Sequence, residues 1–271
     1  MENKLPSLKS FTHLASIAVR NFLMGGNIAS LIFLAKPKQM VKYATENLFL
    51  LATIADRRGL PQKNVFEVLP RAGLAEVSLC NAKEATWFLS SPSYVADIIS
   101  LCLLCRAIRP QTIFEIGTLT GYTTAHLALN APDSCRIYTL DLPPDGKPTL
   151  DTTPLDGVYV SSCRERKRYV WEDMEIAQKI HTVFGNSATF DYSPFQGKVD
   201  LFFIDGSHSY EYVRSDTLNA LKCSHPGSVI TWHDFGRVGV NGVSRWLREF
   251  SKEHQVYSVP GGSLAFSVIG S

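Results

Sequence analysis

The chain is predicted to be an α/β protein, with a mostly parallel sheet covered on both faces and a helical region ahead of it. Three observations carry that prediction. Near residue 110 the hydrophobic period changes: before it apolar residues recur every three or four positions, and after it short apolar runs alternate with helical stretches. Those runs end repeatedly in polar residues, the edge where the ligand crevice of such a sheet lies. The last two runs are too close together for a crossover helix, so they must form an antiparallel hairpin.

Residues 1–110 read as a helical N-terminal extension and residues 111–271 as the sheet domain. Within the extension, 41–54 and 94–108 have helical spacing. Ser90-Ser91-Pro92-Ser93 supplies a helix start with a serine to cap it. Residues 16–35 are apolar, but Arg20, Asn21 and Asn27 interrupt them and Gly25-Gly26 divides them. A transmembrane helix needs about 20 uninterrupted apolar residues, so the segment reads as two short helices for a core or a partner.

In the second region the strand candidates are 112–116, 136–140, 181–184, 199–204 and 228–232, followed by the closing pair 255–259 and 264–269 around Pro260-Gly261-Gly262. Helices are expected over 121–130, 209–222 and 241–253. The link 142–180 is long and holds Pro143-Pro144, Asp145-Gly146, Pro148 and Pro154, so a surface loop before a helix is expected there.

Composition narrows the function classes. Of 271 residues, 45% are hydrophobic and 19% charged, which argues against disorder. A formal net charge of +2 is too small to argue for nucleic acid. The basic cluster Arg164–Arg168 is followed at once by Glu172, Asp173 and Glu175, as on a solvated helix face. No aromatic and basic groove for RNA or DNA is evident. Six cysteines are thinly spread, and Cys102-Leu-Leu-Cys105 sits in an apolar helix with no second pair to complete a zinc site. Both read as small core residues. The absence of a secretory signal pattern points to a reducing, cytoplasmic setting.

The chemistry gathers at the strand ends. Glu115-Ile116-Gly117-Thr118-Leu119-Thr120-Gly121 lies between a strand and a helix, where glycine permits a tight turn and a close approach of backbone to ligand. Its pattern, E-x-G-x-x-x-G, differs from the dinucleotide fingerprint and from the phosphate loop. Asp141 ends the next strand, where an acid can hold two ribose hydroxyls. Gly185-Asn186-Ser187-Ala188 follows the third strand, in a place suited to an adenine edge. Asp205-Gly206-Ser207-His208-Ser209-Tyr210 follows the fourth and Trp232-His233-Asp234 the fifth.

In these motifs residues 111–271 resemble class I S-adenosylmethionine-dependent methyltransferases, and most closely the bacterial small-molecule branch with D-G-x-H-x-Y and H-D after its fourth and fifth strands. The resemblance implies a Rossmann-like, seven-stranded sheet with a C-terminal antiparallel hairpin. It implies S-adenosylmethionine as cofactor, held by Glu115, Gly117, Thr118, Gly121, Tyr122, Asp141, Leu142, Asn186, Ser187 and Asp205. Asn186 stands where many relatives have aspartate, and its carbonyl oxygen can still meet an adenine amino group. In catechol-type members the corresponding strand ends bind magnesium, which would make Asp205, His233 and Asp234 ligands to Mg2+ or another divalent metal. His208 and His233 are the candidate bases, since unperturbed histidine titrates near ~6.5.

The reading that follows is methyl transfer to a small molecule, at oxygen, with the N-terminal helices covering the acceptor or forming a homodimer. Other readings stay open at this point: S-adenosylmethionine bound without methyl transfer, a non-enzymatic assembly protein, or an iron-dependent oxidation at the same motifs. Tyr122 and Trp232 flank the pocket or serve the core, and Phe202 and Phe203 belong to the core.

Overall fold

The computed structural model describes residues 59–69, 76–80, 92–158, 168–237 and 239–270. The helices expected over 16–35 and 41–54, Ser90 and Ser91 of the expected helix start, and residues 1–58 of the extension expected to form a dimer lie outside the described residues. Contacts gather Leu50–Ser271 into one compact unit.

The described elements run α1 (Val65–Val68), α2 (Pro92–Ile108), β1 (Thr112–Ile116), α3 (Tyr122–Asn130), β2 (Arg136–Asp141), β3 (Ile180–Phe184), β4 (Val199–Ile204), α4 (Tyr210–Cys223), β5 (Ser224–Trp232), α5 (Asn241–Phe250), β6 (Tyr257–Ser258) and β7 (Ala265–Val268). The strands form one seven-stranded sheet in the order β3-β2-β1-β4-β5-β7-β6. The first five are parallel, and β7 runs antiparallel to β5 and β6. This is the expected Rossmann-like sheet with its closing hairpin. The order reverses between β1 and β4, which puts a crevice beyond their carboxyl ends.

Side-chain alternation explains the layers. On β4, Phe202 and Ile204 face a core completed by Phe114, Val213, Ile230, Trp232, Val243, Trp246 and Leu247 from α4, α5 and the sheet. Leu201 and Phe203 face the opposite layer, where Leu101, Leu104 and Cys105 of α2 and Leu127 of α3 pack. Both faces are covered, so these strands read as nearly continuous apolar runs. Cys102 and Cys105 are fully buried, as expected of small core residues. Trp232 is also fully buried, and its indole shares the Thr217 hydroxyl with that of Trp246, each at 2.9 Å.

Three element ends differ from expectation. Strand β5 starts at Ser224, because the chain pairs again with Val199 after a register shift. Helix α5 ends at Phe250, and residues 251–253 continue only as turns. In the hairpin only Tyr257–Ser258 and Ala265–Val268 are paired, since Gly261 takes the left-handed region (φ 77°) and widens the connection. Among the described residues no helix is long and apolar enough to cross a membrane.

Candidate active site

The turn after β1 is shaped by what lies behind it. Gly117 has φ 96°, and a Cβ there would overlap the Asp205 carbonyl at the end of β4. Gly121 has φ 79°, and a Cβ there would penetrate the Trp171 ring. Both glycines are thus required by close approach inside the protein, before any ligand is considered. Glu115 has no exposed surface. Its Oε2 accepts from the Thr124 hydroxyl and, at 2.6 Å, from that of Thr139, whereas Oε1 has no hydrogen-bond partner among the described residues. Burial pushes its carboxyl pKa up to about 8, against the two threonine hydrogen bonds. Glu115 is therefore placed beneath the turn, and not on the wall of the cleft.

That cleft opens at the carboxyl ends of the strands. Gly117, Thr118, Tyr122, Asp141, Leu142, Asn186, Ser187 and Asp205 line it, together with His208, His233 and Asp234. Asp141 keeps one oxygen on the Leu142 amide at 2.9 Å. The adenine role expected of the Asn186 amide meets competition: its Oδ1 accepts from the Ala188 amide at 3.0 Å and its Nδ2 donates to the Lys147 carbonyl at 3.2 Å. The Tyr212 hydroxyl adds a further bond to the same amide.

Beyond Asp205 the wall becomes a chain of acids and cations. His208 lies between two carboxylates, with Nδ1 2.6 Å from Asp156 and Nε2 2.8 Å from Asp234. His233 places Nδ1 3.3 Å from Asp205 and 3.2 Å from Asp234, and Nε2 3.3 Å from Asp97. Arg237 donates to Asp234 and to the Tyr94 hydroxyl, each at 2.6 Å, while its guanidinium covers the Tyr94 ring. Tyr94 in turn stacks on His233 with ring centroids 5.3 Å apart. Asp234 sits in the left-handed region (φ 66°). Such a conformation costs a non-glycine residue about 1 kcal/mol or more and persists where neighbours over-determine it.

Charge follows from this geometry. Burial alone would lower the His208 pKa, but hydrogen bonds to Asp156 and Asp234 outweigh it and raise the value to about 10. Burial likewise opposes protonation of His233, yet Asp205 and Asp234 hold it well above the ordinary histidine range. The two imidazoliums overcome the burial of Asp234 and keep its carboxyl well below the usual carboxylate range. This bears on the expectation of a histidine base at His208 or His233. Both imidazoles already share their protons with carboxylates, so neither is a vacant proton acceptor.

The metal expectation is also altered. The ligand atoms that converge, all within 4.8 Å of one another, belong to Asp205, His208 and Asp234. His208 joins the two expected carboxylates in that group, while His233 keeps Nδ1 3.3 Å from Asp205 and 3.2 Å from Asp234 and turns Nε2 toward Asp97. Two carboxylates and an imidazole fit a divalent cation, with Asp156 on the far nitrogen as an orienting partner.

Sequence reasoning missed Tyr94, Asp97, Asp156 and Arg237. Asp97 carried a signal, as the single charged residue within 92–105. It accepts from the Ser263 and Leu264 amides at 2.7 and 2.8 Å, tying α2 to the hairpin beside His233.

Residues 114–235 match a family model described as a methyltransferase domain. That match identifies residues 114–235 as a methyltransferase domain, and the sheet order and the glycine turn agree with it. Among solved structures, the chain is similar to the O-methyltransferase TomG of Streptomyces achromogenes in complex with S-adenosylmethionine, at 20% identity over 76% of this chain and 97% of that one, with a TM-score of 0.47. It is similar to a Bacillus cereus O-methyltransferase in complex with SAH, at 20% identity over 75% and 88%, with a TM-score of 0.43. An SAH-bound methyltransferase of Podospora anserina gives 12% identity over 80% and 92%, with a TM-score of 0.46. No curated protein matches the chain by sequence.

Proposed function

We propose that the protein transfers the methyl group of S-adenosylmethionine to an oxygen of a small molecule. The observation that carries this reading is one continuous cleft, running from Gly117 and Asp141 to Asp205, His208, His233 and Asp234. The donor fits the first half. Asp141 would accept from ribose hydroxyls, and Gly117–Thr120 line the same cleft. The second half suits an acceptor hydroxyl, because it supplies carboxylates whose charge is balanced by fixed cations.

The chemistry asked of the protein is alignment and proton removal. The acceptor oxygen attacks the sulfonium methyl in line, the new O–CH3 bond forms as the S–CH3 bond breaks, and the thioether S-adenosylhomocysteine leaves. The acceptor proton passes to Asp205. Its side chain is 27% exposed to the cleft, whereas those of Asp97 and Asp234 are 3% and 7% exposed. In this reading His233 beside it serves as a positive neighbour. Were a divalent cation bound instead, Asp205, Asp234 and a neutral His208 would hold it, and it would lower the pKa of a bound hydroxyl in place of proton transfer to Asp205. Pairing of two copies through residues 1–110 remains a proposal from the sequence, tested by light scattering of the full chain.

The reading is tested by following label from methyl-labelled S-adenosylmethionine into a panel of phenols and sugar hydroxyls, with and without magnesium. Asp205→Asn is expected to lower kcat by about 100-fold, the lower end of the range for a lost proton acceptor, with little change in the KM for the cofactor. Label transfer to none of the hydroxyl compounds, but to amines, would overturn the choice of oxygen.

A further inference from the structure

We infer that Asp156 is a positioning residue that fastens the strap 142–158 across the cleft and, through the same carboxylate, sets the orientation of His208. The inference rests on the methyltransferase reading for what the cleft holds. The strap contributes Leu142, Pro143, Pro144, Pro148, Thr152 and Asp156 to the cleft wall, so an enclosed cofactor and the strap are in contact. Little apolar burial holds it down: Leu150 is 37% and Val158 is 52% exposed. Polar ties do the holding. One is the Tyr212 hydroxyl, which accepts from the Thr149 amide at 3.0 Å. A second is the Asn186 amide, whose Nδ2 donates to the Lys147 carbonyl at 3.2 Å. The third is Asp156, which is 4% exposed although it comes from a surface connection.

Both oxygens of Asp156 are committed. Oδ1 meets His208 Nδ1 at 2.6 Å and accepts from the His208 amide at 3.1 Å. Oδ2 accepts from the Ser207 hydroxyl at 2.8 Å and from the Thr153 amide at 2.7 Å. The Asp156 amide donates back to the Thr153 hydroxyl at 3.2 Å, so the carboxylate is rigid within its own segment. One end of the latch is thus part of the strap, and the other is the motif after β4. His208 carries the effect onward, since its Nε2 lies 2.8 Å from Asp234. Lifting the strap to admit or release the cofactor withdraws the group that orients His208, and with it the arrangement at Asp234. Closing the strap restores both. The acceptor side is therefore complete only when the donor side is covered, a coupling of the kind an outer carboxylate exerts on a histidine.

The test compares the wild type, Asp156→Asn, His208→Asn and the double variant. Hydrogen exchange of 142–158 is measured first, on the ligand-free full chain. Each single variant is expected to speed strap exchange by about 10-fold, and the double variant by no more than about twofold beyond either, as for two residues acting through one contact. In turnover, Asp156→Asn is expected to lower kcat as well as raise the KM for S-adenosylmethionine, with no further loss of kcat when it is added to His208→Asn. A strap that exchanges at the wild-type rate in His208→Asn overturns the inference, and so do penalties that multiply in the double variant. The His208→Asn measurement stands even where Asp156→Asn fails to fold. Failure of the wild type to bind S-adenosylhomocysteine would instead overturn the methyltransferase reading, leaving the exchange result interpretable.

Discussion

At the scale of single residues, the site is governed by carboxyl groups in unlike surroundings. Glu115 is buried with one unsatisfied oxygen and a pKa of about 8, whereas Asp234 is buried among cations and stays ionised. The first has a consequence for stability. Its folded pKa lies above its unfolded value of 4.5, so the folded state binds more protons than the unfolded one between the two. Stability from this group is full below pH 4.5, falls as pH rises through about 8, and is then lost. Glu115→Gln keeps an acceptor for Thr124 and Thr139 and cannot ionise. Its thermal midpoint is expected to exceed that of the wild type at pH 8.5 and to match it near pH 5, in melts taken across that range. Equal midpoints at both ends would show that burial costs the carboxylate nothing. The residue scale is also where the sequence was least informative. Asp141, Asp205, His208, His233 and Asp234 end apolar runs and announce themselves. Asp97 and Asp156 reach the histidines from a helix and a loop, and that approach is tertiary. No spacing in the chain encodes the 2.6 Å contact between Asp156 and His208.

At the scale of elements, the strands were legible because parallel strands buried on both faces must be short apolar runs. Thr112–Ile116 and Val199–Ile204 coincide with their expected limits for that reason. The start of β5 was hidden, since Ser224, His225, Pro226 and Gly227 have no apolar signal and join the sheet beside Val199 through pairing alone. The turn into α3 shows a second limit. Its two glycines were readable as glycines, but not their reason. Gly121 is confined by the Trp171 ring, fifty residues further along the chain. Gly121→Ala is expected to destabilise the protein by about 2 kcal/mol or more, combining left-handed strain of about 1–2 kcal/mol with overlap at the ring. In a Trp171→Ala background the overlap disappears and only the strain remains, so denaturant melts should show a smaller cost for the same substitution. The same cost in both backgrounds would remove Trp171 from the explanation.

At the scale of the whole molecule, sheet order sets the function. The reversal between β1 and β4 brings the ends of β1, β2 and β3 to one side of a crevice and those of β4 and β5 to the other. Donor groups therefore collect on the first side and acids with their cations on the second. Every site residue expected from the sequence except Glu115 and Gly121 lines that one cleft, although the motifs are spread from residue 117 to residue 234. The central claim is that the first side holds S-adenosylmethionine with Asp141 on its ribose. Titration calorimetry with S-adenosylmethionine and S-adenosylhomocysteine tests it most directly. The wild type is predicted to bind both, and Asp141→Ala to bind each about 100-fold more weakly, as the loss of hydrogen bonds to a charged group worth about 3 kcal/mol requires. Undiminished binding by Asp141→Ala, or no binding by the wild type, would contradict the account.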